Sequence, residues 1–432
     1  MADTNETVLP DAGNPTRHTW GVDALISKVV GEVEPLAKAF SRAGQSLYLV
    51  GGIVRDVALG APLDDLDFDL TTEAHPGEIK RLLGPLADAI WTQGEKFGTI
   101  GAEIDGRPYE VTTFRAESYS SDTRKPEVQF GDRLDVDLSR RDFTINAMAI
   151  DVQTAELIDP FDGISDLEAR VLRTPIEPHV SFSDDPLRML RAARFIARYN
   201  LRLGDDVEVA ARELSERMSI VSVERIREEL DKLLAATEPS AGLAFLAGIG
   251  LWPYVVPTID TDELTQIGVE LDGSPIDPVL RRTIIFSHCA RDDRQRAFSH
   301  LKYSNAEGRE LRALLEGLDV VNDADTPLAA SAMRRLVERI GYDSIPRLFS
   351  LLGVLEIPGR GAEELFSELD SSEDLRDFTP ILTGEEVMEL LSISPGPEVG
   401  AAIQHLKERR FEGGPTDRDG EVDYLRQLYE VR

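Results

Sequence analysis

The stretch LYLVGGIVRDVALGAPLDDLDFDLTT, residues 47–72, leaves its chain few choices. LYLV (47–50) reads as a short buried strand, and Ile53–Leu59 as a helix starting after the pair Gly51–Gly52. Polar and apolar residues then alternate with period two over Asp65–Leu70, the pattern of a strand. In that strand Asp65, Asp67 and Asp69 share one face, while Leu66, Phe68 and Leu70 point into the core; Asp64 falls outside the set and reads as a turn residue. Carboxylates gathered on one face repel one another unless a cation sits between them. A small number of hard oxygen ligands suits Mg²⁺, which keeps waters and takes substrate phosphates. The bland alternative is a solvated edge strand in an acidic protein. The glycines weigh against it. Between a strand and a helix, Gly51 and Gly52 let backbone N–H groups approach a phosphate, and Arg55, one turn on, reaches toward the same phosphates. A phosphate cradle beside a metal platform is the arrangement that phosphoryl or nucleotidyl transfer requires.

The rest of the chain sets the frame. With 432 residues it is too long for one core, and two to four domains are expected. Strand-like runs at Thr99–Ile104 and Tyr109–Phe114, joined by an Asp105-Gly106 turn, follow a helical run at Ile79–Leu83, giving a mixed α/β region up to about residue 160. Beyond Asp166 helical periodicity dominates, as in Leu187–Tyr199, Val223–Leu234 and Leu243–Leu246. The polar segment 118–128 reads as a loop, and residues 1–20, polar and without an apolar centre, as a disordered leader rather than a signal peptide. No run of about 18 apolar residues exists to span a membrane. The single cysteine, Cys289, excludes an internal disulfide and fits a reducing cytoplasm. A formal net charge of −32 opposes general binding to nucleic acid, but it does not forbid a local basic track.

Such a track exists. From Pro186 through Gly204 there is no acid, in a chain with 79 of them. Asp184 or Asp185 caps a helix in which Arg188, Arg191, Arg194 and Arg198 recur three, three and four residues apart, forming one stripe, with Leu187, Leu190 and Phe195 on an apolar face. The stripe reads as a track for triphosphate, base and RNA backbone, or else as a solvated face balancing its acidic neighbours. Asp185 and Arg188, one turn apart, can read a base edge together. Cytosine and adenine each offer an amino donor beside a ring acceptor, matching a carboxylate and a guanidinium; uracil and guanine reverse the pattern and leave polar groups unpaired. Upstream, RRDFTINAMAID supplies Arg140, Arg141, Asp142 and Asn146. Asp142 or Asn146 near a sugar would bond its hydroxyls, whereas a satisfied core amide is the alternative for Asn146.

LVGGIVRDVALG…DLDF resembles the signature of the polymerase-β-like nucleotidyltransferases, specifically the class II tRNA nucleotidyltransferase and bacterial poly(A) polymerase family. The resemblance continues in order through EVTTFRAESYSSDTRKPEV, RRDFTINAMAID, DPFDG, DDPLRMLRAARF and SVERIREEL, over roughly residues 47 to 235, and the stretch TGEEVMELLSISPGPEVG is similar to the family's C-terminal segment. It implies an α+β protein: a nucleotidyltransferase head (21–165), then a helical neck (166–255), body (256–355) and tRNA-binding tail (356–432). It implies addition of C, C and A to tRNA 3′ ends from CTP and ATP, with Asp65 and Asp67 as catalytic Mg²⁺ ligands. Gly52, Arg55, Arg141, Asp142, Asn146, Asp185, Arg188, Arg191 and Arg194 are the expected nucleotide-binding set, Arg141 contacting the nucleotide while Asp142 and Asn146 shape the ribose pocket. By the same resemblance, segment 118–128 serves the switch from C to A addition. Asp184 stands where the family usually has Glu. The family shares its motifs among CCA-adding, A-only and poly(A) enzymes, and a silent RNA-binding derivative is a further alternative. The appended phosphohydrolase of some relatives needs converging His and Asp; with six histidines and His288-Cys289 as the nearest candidate, it is not expected, and those two residues read as packing residues.

Overall fold

The structure, a computed structural model, describes residues 23–115, 130–324, 327–359 and 361–430. The leader (1–20) and segment 118–128 lie outside the described residues. Two compact units account for the rest: one runs to Glu229 and includes Phe245–Tyr254, and the other comprises Leu230–Ala244 and everything from Val255 onward.

The first unit is built on a seven-stranded sheet. Its strands are β1 (Tyr48–Val50), β2 (Phe68–Thr72), β3 (Ala89–Trp91), β4 (Thr99–Ile104), β5 (Arg107–Thr113), β6 (Ala149–Asp151) and β7 (Leu157–Ile158), in the order β3-β4-β5-β2-β1-β6-β7. Only β2 and β5 run parallel; the other pairs are antiparallel. Asp105 and Gly106 both take positive φ, 52° and 75°, as a two-residue hairpin between right-twisted strands demands. One face carries the core. Leu49, Leu70, Val111, Ile100 and Ile150 are buried there with Leu36 and Phe40 of the helix Glu34–Arg42 and Ile79 and Leu83 of the helix Pro76–Leu83.

The opposite face carries the aspartates, with one correction to the expected strand. Asp65 belongs to a 3₁₀ turn, Leu63–Asp65, and β2 begins only at Phe68. The reason lies across the ladder. Phe68 pairs with Tyr109, so the next pair outward would set Asp67 against Pro108, which has no N–H to donate. The alternation of exposure survives this: Asp65, Asp67 and Asp69 are exposed, and Leu66, Phe68 and Leu70 are buried. Asp64 sits in the same turn, its side chain 95% exposed and 3.7 Å from Arg107.

Beyond Asp166 helices dominate as expected, with one short parallel pair, Val171–Leu172 against Arg202–Leu203. The helix Leu187–Tyr199 has the predicted bounds and ends at Asn200 in the left-handed conformation (φ 51°). Asp184 is the last residue of the preceding helix, Pro178–Asp184, so it does not cap; Asp185 Oδ1 accepts from the Leu187 N–H at 3.2 Å.

The second unit shows no strand among its described residues. Its helices include Leu264–Asp272, Pro278–Ser287 and Asn305–Asn322, the last begun by a capping box of Ser304 and Glu307. The fully buried Arg281 donates to the carbonyls of Leu234, Ala236 and Ser274, consuming acceptors that a helix end leaves unpaired. Cys289 is buried as expected, whereas His288 is not a bystander in the packing: its two ring nitrogens face Glu263 and Glu270 at 2.6 and 2.7 Å.

Candidate active site

Every residue expected in the site lines one cleft of about 440 Å³ in the first unit. Its lining brings together Gly51, Gly52, the acidic row Asp65, Asp67 and Asp69, and the cations Arg140, Arg141 and the stripe of Arg188, Arg191, Arg194 and Arg198.

The glycine pair is explained by what approaches it. Gly51 has φ 76°, and a Cβ there would come within 2.7 Å of Arg141 Nη1; a Cβ on Gly52 would lie 3.3 Å from Arg55 Nη2. The bare backbone thus admits two guanidinium groups to the first turn of the helix Gly52–Ala58. Arg141 is steadied by the buried Asp137 at 3.1 Å. Arg55 is buried rather than free to swing: Asp56 holds it in a two-point pair (2.9 and 3.0 Å), Asn146 Oδ1 accepts from Nη1, and the rings of Phe195 and Tyr199 lie 5.5 and 4.6 Å from its carbon.

From Arg55 a continuous polar chain crosses the floor of the cleft. Asn146 passes it on by donating from Nδ2 to Asp142 Oδ1 at 2.9 Å, and Arg191 donates from Nε to Asp142 Oδ2 at 2.9 Å. Arg191 Nη1 also reaches Glu229 at 3.2 Å, and Arg194 Nε lies 2.8 Å from the other oxygen of Glu229. For Asn146 this is the satisfied buried amide that the sequence leaves open as an alternative. Burial alone would raise the Asp142 carboxyl, but Arg191, Asn146 and Arg188 outweigh it and hold the group well below the usual carboxylate range. Burial and the neighbouring Arg191 depress the Arg194 guanidinium, which Glu229 partly offsets.

Asp185 and Arg188 flank the turn into the arginine helix, and each is already anchored. Asp185 Oδ2 accepts from Arg225 at 2.8 Å; Arg188 donates to Ser181 Oγ at 2.6 Å and to the Arg140 carbonyl. A guanidinium has five N–H donors and a carboxylate about four acceptor sites, so both residues keep hydrogen-bonding capacity for a ligand.

The sequence reading missed Glu229, Arg225, Ser181 and Asp137. Glu229 had a signal. In the helix Val223–Leu234 it stands with Ile226, Leu230 and Leu233 on the spacing of the buried stripe, and an acid on such a stripe must be paired.

A divalent cation fits the acidic row. Among the described residues no group of three or more His, Cys, Asp or Glu side chains is arranged to hold a metal by itself. Asp65 and Asp67 are accessible carboxylates that form no salt bridge among the described residues, and such a pair suits an ion completed by water and phosphate oxygens. Although Asp69 stays solvent-accessible, its depth in the cleft and then the adjacent Glu110 push it up to about 6 despite Arg141, with Asp67 adding a smaller repulsion that a cation would relieve.

A model of the poly A polymerase head domain matches residues 47–173, and one of the probable RNA- and SrmB-binding site of polymerase A matches 200–263. The arginine helix falls between them. The CCA-adding enzyme of Lactobacillus johnsonii is 32% identical over 396 residues, covering 90% of this chain and 94% of that protein. That of Levilactobacillus brevis is 40% identical over 375 residues, covering 86% and 91%. Among solved structures, the Bacillus stearothermophilus CCA-adding enzyme in complex with CTP superposes with a TM-score of 0.74 at 26% identity, covering 96% of this chain and 99% of that one. The Thermotoga maritima CCA-adding enzyme complexed with tRNA shares the fold, with a TM-score of 0.63 at 22% identity. By its head domain, its helical remainder and its extended similarity to curated relatives, the chain belongs to the CCA-adding enzyme and poly(A) polymerase family of nucleotidyltransferases.

Proposed function

We propose that the protein adds C, C and A to tRNA 3′ ends, the terminal hydroxyl attacking the α-phosphorus of CTP or ATP and pyrophosphate leaving. The observation that carries this reading is the cleft itself, where accessible Asp65 and Asp67 face seven arginines in a chain of net charge −32. That density of guanidinium groups suits a triphosphate, and the chain is otherwise ill suited to polyanions.

The family implies a divalent metal, and the donor set suits Mg²⁺, held by Asp65 and Asp67. Bound there, it would lower the pKa of the attacking hydroxyl and neutralise charge on the leaving phosphates. The remaining work belongs to the chain's own groups. Arg141, admitted by Gly51, reaches the triphosphate end of the cleft. Asp142 and Asn146, locked between Arg55 and Arg191, give the sugar a rigid wall. Asp185 accepts the exocyclic amine of cytosine or adenine, and Arg188 donates to the adjacent ring nitrogen; the anchors Arg225, Ser181 and the Arg140 carbonyl fix both before the base arrives. The basic stripe ends at Arg198, a contact for the RNA backbone. No described helix is long and apolar enough to cross a membrane, and the reaction belongs in the cytoplasm with its tRNA.

Asp67→Ala tests the assignment. Incorporation into tRNA lacking its 3′ end should fall by at least 10³-fold, in line with loss of a group acting on the transition state, while nucleotide binding changes little. Retained incorporation would remove Asp67 from the mechanism. Chelation should abolish activity and Mg²⁺ restore it.

A further inference from the structure

Beside the cleft, the carboxylate-bearing face of the sheet continues into a second hollow of about 320 Å³, lined by Trp91, Phe97, Thr99, Gly101, Glu110 and Arg115. Strand register makes the two contiguous. Asp69 of β2 pairs with Glu110 of β5, Glu110 with Gly101 of β4, and Gly101 with Trp91 of β3, so the four form one row across a single face. Gly101 interrupts an otherwise side-chain-filled strand for a visible reason: a Cβ there would lie 1.8 Å from Trp91 Nε1. The absent side chain lets the indole lie across β4 instead of standing off it. Phe97, 43% exposed, contributes a second ring, with Lys96 Nζ 4.7 Å from its centroid. Arg115 donates to Thr99 Oγ1 at 3.3 Å along the wall.

We infer that this hollow seats the 3′-terminal nucleotide of the acceptor RNA, its base stacked on Trp91, so that its 3′-hydroxyl is delivered to Asp65 and Asp67. The inference rests on the transferase reading above. That reaction needs two nucleotides on opposite sides of the carboxylates, and the arginine cleft accounts for the incoming one. The hollow begins one strand from Asp69, and the Trp91 indole, lying across Gly101 of β4, is two strands away, about 10 Å at the usual strand spacing, a span a nucleotide covers from reactive sugar to base edge. Its volume is that of a small-ligand site. Its rings bind any base by its face, which suits an acceptor end that changes identity at each addition, whereas hydrogen-bond readout would not.

The test pairs the ring with the base. Trp91→Ala should raise the KM for acceptor RNA about 10-fold and leave the KM for CTP unchanged, and Trp91→Phe should restore most of the loss. With an acceptor whose terminal residue is abasic, wild type and Trp91→Ala should bind equally. An equal loss on intact and abasic acceptors, or a rise in nucleotide KM, would overturn the seat. Binding of a 3′-deoxy acceptor, followed by tryptophan fluorescence in the full-length protein, reads the seat without incorporation. If the protein stacks this RNA on Trp91 yet transfers no nucleotide, the transferase reading fails and the seat stands; if it transfers nucleotides without Trp91-dependent binding, the reverse holds.

Discussion

Arg188 shows how much of the site one side chain can decide. It enters the cleft beside Asp185, and its guanidinium is held by Ser181 and the Arg140 carbonyl, so it presents its remaining donors in a fixed direction. Arg188→Ala should therefore blur nucleotide choice while leaving transfer measurable. The preference for CTP over UTP should fall at least 10-fold, the worth of one hydrogen bond to a charged donor, when single-nucleotide incorporation rates are compared. Selectivity that stays unchanged would sink the base-reading role. At this scale the sequence was informative about residue types and silent about partners. The D-x-D spacing and the acid-free run are visible in the chain itself. The anchors Ser181 and Arg225 are not: Arg225 bonds Asp185 from 40 positions away, which leaves no periodicity to find, and Ser181 bonds Arg188 from the preceding helix, across the turn at Asp185.

The arginine helix is the element on which the site turns. Its bounds were legible because a proline and a helical stripe mark them locally, and the structure ends the helix at a left-handed Asn200. Its chemistry was less so. A bare stripe suggests four free cations, but Arg191 is shared between Asp142 and Glu229, and Arg194 leans on Glu229. The helix is a charge-balanced wall that fixes guanidinium positions, and Glu229 is the post that holds it. Glu229→Gln should destabilise the protein by about 3 kcal/mol in denaturant unfolding, the cost of leaving buried guanidinium groups half-paired, and should weaken CTP binding by loosening Arg191. A stability within about 0.5 kcal/mol of wild type would show that the pairing contributes little. The start of β2 misled in the other direction. The alternation over Asp65–Leu70 is real as a pattern of exposure, but ladder pairing depends on a partner strand, and Pro108 delays its start to Phe68, three residues later than the pattern suggests.

Over the whole molecule, acidic composition and a polyanionic substrate are reconciled by segregation. The arginines that face the cleft lie in one compact unit, where carboxylates on neighbouring elements orient them. The second unit has its own titrating feature. Burial would lower His288, but the hydrogen bonds its ring donates to Glu270 and Glu263 prevail and raise it. A raised histidine contributes stability that is complete below its unfolded pKa of about 6.5 and is lost as pH rises through the higher folded value. The urea midpoint should thus decline above neutrality, and His288→Gln should flatten that decline; an unaltered slope would place the pH dependence elsewhere.

One protein cleft, without a nucleic-acid template, is proposed to read cytosine and adenine and to reject the other two bases. The most direct measurement incubates the full-length protein and Mg²⁺ with tRNA lacking its 3′ end and each nucleoside triphosphate alone, then sizes the products. CTP alone should extend the tRNA by two residues, ATP should complete it only after those two, and UTP and GTP should be ignored. Extension by ATP alone into a homopolymer, with no incorporation of CTP, would contradict it.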